Sequence, residues 1–184
     1  MNRQLASKTT GVPMGRLLSG SPAPEMEVPL AGGGQWRLSE QAPENFTLIV
    51  VFRGVHCSFC RPEVEKLQTL RSELADLGIE TFAVSMDDED RADRMGEEWA
   101  LSDLPVGYGL SLEQARAWGL YVSSKVKDVE PATFSEPGCF LIRPDGTLYA
   151  QFQSTAPWMR LDLDVLVRGV QIAMERGTPP RGGE

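Results

Sequence analysis

The sequence has 184 residues, 41% of them hydrophobic, and its 18 basic and 26 acidic residues give a formal net charge of −8. This length suits one domain with a sizeable core, and the composition argues against wholesale disorder. The acidic balance argues against nucleic-acid and anionic-membrane partners, and no apolar run of about 18 residues is present to form a transmembrane helix. Because the N-terminal residues lack the continuous apolar core of a secretory signal, we expect a cytoplasmic, reducing location.

The first part of the chain predicts an arm, a hairpin and a buried strand. Residues 1–20 are polar and show no sustained period, so we expect a loosely attached arm. Alternating apolar residues on both sides of a triple-glycine turn predict a β-hairpin over 26–38. Phe46–Phe52 is a continuous apolar run, which predicts a central strand buried on both faces.

A helix is predicted directly after a pair of cysteines. Its apolar residues recur at intervals of three and four, which places them on one face of a helix with 3.6 residues per turn. These residues are Cys60, Val64, Leu67, Leu70, Leu74 and Leu77. Gly78 is placed to end the helix, and Ile79–Met86 predicts a second buried strand.

The middle of the chain continues the alternation of helices and strands. The acidic run Asp87–Asp90 predicts the start of a second helix, where acids complement the helix dipole. The inward-facing residues of this helix are expected to be Ala92, Met95 and Trp99. A short strand is predicted at 106–108 and a short helix at 111–118, and 119–136 reads as a long, polar, mixed-charge connection.

The last part of the chain predicts a second hairpin and a final helix. An apolar strand at 138–143, the tight turn Pro144-Asp145-Gly146 and a returning strand at 147–152 form the hairpin. Residues 162–174 show the period of an amphipathic helix. The glycine- and proline-rich residues 176–184 are expected to form a flexible tail.

Strands that alternate with helices and end in an antiparallel hairpin predict an α/β fold. We expect a sandwich with a central mixed β-sheet flanked by helices and an N-terminal β-hairpin extension. The domain is placed at 21–175, between the arm and the tail.

The residues that carry chemistry lie between the predicted central strand and the first helix. Three cysteines in a chain expected to be in a reducing location argue against a structural disulfide framework. Cys57 lies at the helix start, where unpaired N–H groups and the helix dipole favour the thiolate. Cys60 lies one turn deeper on the apolar face. We therefore predict that Cys57 attacks a substrate disulfide and that Cys60 resolves the product by closing a disulfide with Cys57.

Three neighbouring side chains are candidates to stabilise a Cys57 thiolate, namely Arg53, His56 and Arg61. For each of them a solvated loop residue is the alternative. Cys139 lies inside an apolar strand and is expected to be a buried core thiol. One cysteine pair with isolated further ligands is too little for a structural zinc site, so we expect neither a metal nor another cofactor.

Several segments of the chain resemble a known family. Residues 50–70, VVFRGVHCSFCRPEVEKLQTL, resemble the active-site strand and helix of the thioredoxin-like fold. With PGCFLIRPDGT at 137–147, SPAP at 21–24 and the first hairpin, the chain resembles the alkyl-hydroperoxide-reductase/thiol-specific-antioxidant branch, the peroxiredoxin-like redoxins. The similarity covers roughly residues 20–175. It implies a cis peptide bond before Pro137 and a groove near this residue that docks extended peptide substrates.

The sequence departs from the peroxiredoxin pattern at several positions. In that family the cysteine that attacks peroxide ends a Pro-x-x-x-Thr-x-x-Cys motif, which here aligns with Arg53 as the proline, Cys57 as the threonine and Cys60 as the cysteine. The activating arginine of the family aligns with Pro137. The acid that thioredoxins bury before their cysteines aligns with Val51, which leaves the proton acceptor of Cys60 unassigned.

These departures favour dithiol–disulfide exchange. We predict a thiol–disulfide oxidoreductase of the peroxiredoxin-like class that works through Cys57-Ser58-Phe59-Cys60 with an unidentified dithiol electron donor. The alternative is a two-cysteine peroxidase, in which hydrogen or alkyl peroxides oxidise Cys60 to a sulfenic acid and Cys57 resolves it. A second alternative is a non-catalytic binding module with inert cysteines. The resemblance also suggests a homodimer.

Overall fold

The computed structural model describes residues 17–184, so residues 1–16 of the predicted arm lie outside the described residues. The helices are α1 (Cys60–Asp76), α2 (Glu89–Glu98), α3 (Leu112–Ala117) and α4 (Leu163–Glu175). The strands are β1 (Glu27–Pro29), β2 (Gln35–Arg37), β3 (Phe46–Val51), β4 (Ile79–Val84), β5 (Val106–Gly107), β6 (Val122–Ser124), β7 (Thr133–Ser135), β8 (Gly138–Ile142) and β9 (Leu148–Gln153). Among residues 17–184, no helix has the length and apolar character needed to span a membrane.

Five strands form the central sheet in the order β5-β4-β3-β8-β9. β3 runs parallel to β4 and β4 runs parallel to β5, whereas β8 is antiparallel to both β3 and β9. β1 and β2 form a separate antiparallel hairpin in which Val28 lies opposite Trp36. The predicted mixed sheet with flanking helices and an N-terminal hairpin is therefore confirmed.

Alternate residues of β3 point to opposite faces of the sheet and join two different cores. Leu48 and Val50 join the core that contains the buried faces of α1, α2 and α4, which we call the α1 core. Ile49 and Val51 join the core that packs under α3 and the first hairpin, which we call the α3 core. Its largest side chains are Trp36, Phe82, Trp118 and Phe140.

The predicted face of α1 is the face that the protein buries. Its buried residues are Cys60, Val64, Leu67, Leu70 and Leu74. Gly78 follows the helix with φ +67°, a left-handed conformation that glycine adopts at little cost. The helix therefore begins at the second cysteine of the pair and ends where the sequence predicts.

The structure differs from the sequence prediction in two segments. α2 is capped by Asp88, which accepts a hydrogen bond from the Arg91 N–H at 3.1 Å, whereas Asp87 lies before the helix and is buried. The expected connection at 119–136 contains the β6–β7 hairpin, with Val122 opposite Ser135. Its strands have three residues each and carry serine and threonine, so they show too little apolar alternation to predict a hairpin.

Candidate active site

Both cysteines lie where β3 gives way to α1. The Cys57 N–H donates to the Gly54 carbonyl at 3.1 Å and the Cys60 N–H donates to the Cys57 carbonyl at 3.0 Å, which makes two successive tight turns. Cys60 is the first residue of α1. Cys57 is only 3% exposed and Cys60 is fully buried. Hydrogen bonds and charges near these sulfur atoms are therefore little screened by water.

A buried carboxylate holds this loop from the neighbouring strand. Asp87, which follows β4, accepts a hydrogen bond from the Val55 N–H at 2.7 Å. Gly54 has φ +128°, and a Cβ at this position would come within 2.5 Å of an Asp87 carboxylate oxygen. The turn before Cys57 therefore requires glycine, both for its backbone angle and for the approach of Asp87.

Arg160 brings a positive charge to both sulfur atoms. It lies in the loop between β9 and α4, and its Nη2 lies 3.6 Å from Cys57 Sγ and 3.2 Å from Cys60 Sγ. Its Nη1 forms an ion pair with Glu63, and its Nε donates to the Pro157 carbonyl at 2.6 Å. All three nitrogens of the guanidinium are thus engaged, which fixes its plane against the cysteines.

The pKa values of the two thiols are shifted in opposite directions. A hydrogen bond with the Cys60 side chain is the main cause that lowers the pKa of Cys57 to about 5, and the guanidinium groups of Arg53 and Arg160 lower it further against the effect of burial. Burial raises the pKa of Cys60 well above its ordinary value, and the proximity of Cys57 adds to the rise. At neutral pH Cys57 is therefore a thiolate and Cys60 a thiol.

Glu63 is a largely buried acid in the first turn of α1. Burial raises its pKa to about 7, although the positive charge of Arg160 opposes the rise. Residues three apart on a helix lie on the same face, so Glu63 and Cys60 are neighbours. Glu63 can therefore take up or release a proton close to neutral pH beside Arg160 and the cysteines.

Arg53 is the candidate from the sequence that the structure brings to the cysteines. Its backbone N–H lies 3.4 Å from Cys60 Sγ and donates to it. Its guanidinium is almost buried, with Nε 3.1 Å from Glu136 and Nη2 3.4 Å from Glu130. The guanidinium carbon also lies 4.6 Å from the centre of the Phe134 ring, in the geometry of a cation–π contact.

The structure corrects the expectation for the other two candidates. Burial lowers the pKa of His56 to about 4, and the positive charges of Arg53 and Arg91 lower it further, so this side chain is neutral at pH 7 and offers no charge to a thiolate. Arg61 forms an ion pair with Glu65 at 2.8 Å on the exposed side of α1. Residue 61 turns outward because Cys60 occupies the inward face of the first helical turn.

The peptide bond before Pro137 is trans, so the expectation of a cis bond is wrong. The chain runs extended from β7 into β8 at this point and is held on both sides. The Glu136 N–H donates to the Tyr121 carbonyl at 2.7 Å, and the Pro137 carbonyl accepts from the Ser154 N–H at 3.0 Å. This extended backbone between the two strands fits a trans peptide bond.

Cys139 is the third cysteine and lies in β8, opposite Val50 of β3. It is 7% exposed, and burial raises its pKa to about 12. The prediction of a buried core thiol is confirmed. Within residues 17–184, no group of three or more histidine, cysteine, aspartate or glutamate side chains is arranged to hold a metal ion.

These contacts define a class of protein. A buried pair of cysteines begins a helix at the end of a central strand, one sulfur is a thiolate, and arginine side chains stabilise its charge. Such a pair can pass two electrons between a dithiol and an oxidised substrate.

The chain belongs to the AhpC/TSA family, whose model matches residues 19–151. Family membership and the dithiol together make the protein a thiol-dependent oxidoreductase of the peroxiredoxin-like class, as the sequence predicts. No curated protein matches the chain.

Solved structures of peroxiredoxins share the fold at low sequence identity. Peroxidoxin BcpB from Mycobacterium tuberculosis is 17% identical with a TM-score of 0.64, and the match covers 89% of this chain and 99% of that one. The reduced two-cysteine peroxiredoxin of Plasmodium vivax is 12% identical with a TM-score of 0.70, over 87% and 85% of the two chains. AhpC from Mycobacterium tuberculosis is 14% identical with a TM-score of 0.69, over 86% and 98%.

Proposed function

We propose that the protein reduces disulfides, with Cys57 as the attacking sulfur and Cys60 as the resolving sulfur. The observation that carries this proposal is the contact of one Arg160 nitrogen with both sulfur atoms, beside a Cys57 whose pKa lies at about 5. A thiolate at neutral pH is the nucleophile that exchange requires. Cys60, which is protonated and begins the first turn of α1, supplies the second sulfur.

The exchange balances over two steps. The Cys57 thiolate attacks the substrate disulfide, a mixed disulfide forms, and the other substrate sulfur leaves as a thiolate that takes a proton. Cys60 then loses its proton and attacks Cys57 Sγ, the intramolecular disulfide forms, and the second substrate thiolate leaves. Two electrons have passed to the substrate, and an external dithiol returns them to the protein.

Glu63 is our candidate for the proton acceptor of Cys60. The acid that the thioredoxin resemblance leads one to expect before the cysteines is absent, because Val51 occupies that position. Glu63 lies on the same face of α1 as Cys60, and its pKa of about 7 lets it accept a proton at neutral pH. Arg160 pairs with Glu63, and it contacts both cysteines. Glu63 and the two sulfur atoms therefore contact the same cation, the guanidinium of Arg160.

Pro137 retains its proposed role in shaping the substrate groove. The register of β3 and β8 pairs Val51 with Gly138, which puts Pro137 beside Phe52 at the end of β3 from which the cysteine loop leaves. A proline offers no N–H at this position, so this point of the chain donates no backbone hydrogen bond to a neighbouring strand.

Peroxide reduction is the second candidate, and the position of Arg160 favours it. Arg160 lies closer to Cys60 Sγ, at 3.2 Å, than to Cys57 Sγ, and Cys60 is the cysteine that aligns with the peroxide-attacking position of the family. In this reaction Cys60 gives up its proton and its sulfur attacks one peroxide oxygen, the other oxygen leaves and takes up a proton as an alcohol or water, and Cys60 becomes a sulfenic acid. Cys57 then displaces water from the sulfenic acid, and the same disulfide forms.

Single cysteine variants separate the two reactions. With a peptide disulfide as substrate, we expect Cys60→Ser to accumulate a mixed disulfide at Cys57 and Cys57→Ser to form none, as seen by mass spectrometry. A mixed disulfide at Cys60 in the Cys57→Ser protein would contradict the proposal. The same variants are then treated with peroxide. Sulfenic acid on Cys60 in the Cys57→Ser protein would establish the peroxidase reaction. If neither variant reacts with peroxide faster than free cysteine does, the peroxidase reaction is excluded.

The partners and the setting of the protein remain predictions from the sequence. They comprise the cytoplasmic location, the homodimer, and the dithiol donor. The domain limits at 21–175 and the flexible tail at 176–184 are predictions of the same kind.

A further inference from the structure

The guanidinium of Arg53 is held by one element, the β6–β7 hairpin. Glu136, directly after β7, lies 3.1 Å from its Nε, and Glu130, in the turn between the strands, lies 3.4 Å from its Nη2. Phe134, in β7, packs its ring against the guanidinium. The Arg53 side chain is only 12% exposed. A buried arginine with two carboxylates and an aromatic ring is strongly restrained in position.

The two carboxylates are also held by hydrogen bonds to groups other than Arg53. Glu130 Oε2 accepts hydrogen bonds from the N–H groups of Val126 and Lys127, at 2.8 and 2.9 Å. These backbone bonds are the main cause that lowers the pKa of Glu130, so the acid is ionised at neutral pH. Glu136 Oε1 accepts a hydrogen bond from the Ser123 hydroxyl at 2.7 Å. Both acids therefore present an oxygen to Arg53 at a set place.

The other end of Arg53 is part of the cysteine loop. Its backbone N–H donates to Cys60 Sγ at 3.4 Å, and the turn closed by the Gly54 carbonyl and the Cys57 N–H begins at the next residue. The Arg53 side chain also acts on Cys57 as a hydrogen-bond donor, which lowers the pKa of this thiol. Any movement of Arg53 is therefore transmitted to both sulfur atoms.

We propose that Glu130 and Glu136 are positioning residues for the redox reaction, which hold Arg53 against the cysteine loop and thereby set the reactivity of Cys57. The β6–β7 hairpin is then part of the redox machinery, although none of its residues contacts a sulfur atom through the bonds described above. This inference rests on the proposed role of Cys57 as the attacking thiolate.

A direct electrostatic effect of the two acids is the competing explanation, and it has the opposite sign. If the carboxylates act on Cys57 only through their negative charge, removing one of them favours the thiolate and lowers the pKa of Cys57. If they act by holding Arg53 in place, removing one lets the guanidinium move away and raises the pKa of Cys57. The direction of the shift therefore distinguishes the two explanations.

The test is a double-mutant cycle on the reduced full-length protein. The pH dependence of iodoacetamide alkylation at Cys57, followed by peptide mass spectrometry, gives the pKa of this thiol in each variant. Glu136→Ala and Glu130→Ala are made in the native protein and in the Arg53→Ala protein. Asp128→Ala serves as a matched control, because this exposed acid lies in the same turn and pairs with Lys125 at 3.6 Å rather than with Arg53.

We expect each glutamate variant to raise the pKa of Cys57 by about half a unit or more in the native protein and to change it little in the Arg53→Ala protein. Glu136→Gln keeps the length of the side chain and one oxygen that can accept from the Ser123 hydroxyl, but it loses the charge that pairs with Arg53, so we expect a smaller rise than for Glu136→Ala. The Asp128→Ala control should leave the pKa unchanged.

Three results would overturn the inference: a lowered pKa, an unchanged pKa, or an equal shift with and without Arg53. A variant that has lost its fold is recognised separately, because Cys57 then titrates like free cysteine both with and without Arg53. A native protein in which Cys57 titrates like free cysteine would contradict the proposed function itself. The failure of the inference and the failure of the proposed function are thus told apart by the native protein alone.

Discussion

The two faces of the central sheet differ in what they do. The α1 core contains all three cysteines, and the loop at its edge gathers the charged groups around Cys57. The α3 core is built on aromatic packing. The Trp36 and Phe82 rings are stacked with their centres 3.8 Å apart, and the Trp118 and Phe140 rings meet edge to face with their centres 4.9 Å apart. One strand serves both, because Val50 and Ile49 of β3 point to opposite faces.

This comparison suggests that reactivity and stability can be changed separately. Aromatic packing contributes mainly through burial and close contact, which a distant thiol does not sense. The thiolate depends on charges within a few ångströms, which contribute less to the packing of the chain. We therefore expect substitutions on the α3 side to affect unfolding and substitutions around Cys57 to affect titration and exchange.

Removal of the largest side chain in the α3 core should have the largest effect. Trp118 is fully buried, and Trp118→Ala leaves a cavity, so we expect a loss of about 3–5 kcal/mol in the free energy of unfolding, measured in urea. The pKa of Cys57 in the protein that remains folded should be unchanged. A clear shift in this pKa would show that the two faces are coupled.

Loss of Arg160 should change the chemistry more than the fold. In Arg160→Ala the thiolate loses a positive neighbour, so we expect the pKa of Cys57 to rise by about one unit, equivalent to ~1.4 kcal/mol. A rise from about 5 reduces the thiolate at pH 5 by roughly fivefold, which alkylation rates measure. Arg61→Ala is the matched control, because this arginine pairs with Glu65 away from the sulfurs. If the two variants change the pKa of Cys57 equally, Arg160 has no specific effect on this thiol.

The contact between Asp87 and the cysteine loop should matter for local stability. Asp87→Ala leaves the buried Val55 N–H without an acceptor, which costs about 1–3 kcal/mol. Asp87→Asn keeps an oxygen at this place and should lose less. Hydrogen exchange at the Val55 amide measures the effect directly, and equal protection in both variants would contradict this role of Asp87.

The effect of His56 should be absent at neutral pH and appear only as a pH dependence. Its pKa is about 4 in the folded protein against an ordinary value of 6.5, so the unfolded chain binds the proton first as the pH falls. Stability should therefore fall between pH 6.5 and pH 4, and His56→Leu should flatten this part of the profile. Urea unfolding at several pH values measures it, and an unchanged slope would assign the dependence to other groups.

Periodic patterns in the sequence predicted the parts of the fold that depend on local order. The interval of three and four residues from Cys60 to Leu74 places α1 correctly, and the apolar run at β3 places the strand before it. The β6–β7 hairpin was not predicted, because its short polar strands are paired with each other and carry no apolar period. Its acids are buried beside Arg53, which lies far from them in sequence.

The site was predictable only as far as its residues are close in sequence. Cys57 and Cys60 are found from their place at the strand–helix junction, and the spacing of Glu63 from Cys60 was a signal available in the sequence. Arg160 lies 100 residues after Cys60, and no local pattern connects them. His56 was misassigned because its charge depends on burial and on Arg53, which only the folded chain reveals.

The deep burial of Cys139 gives the protein a natural reporter of its own opening. While the chain is folded, this sulfur stays protonated and shielded, so a thiol reagent at neutral pH cannot reach it. Once the domain opens, the sulfur becomes as reactive as an ordinary cysteine. The rate at which peptide mass spectrometry finds an adduct on Cys139 therefore times global opening events, without any engineered label.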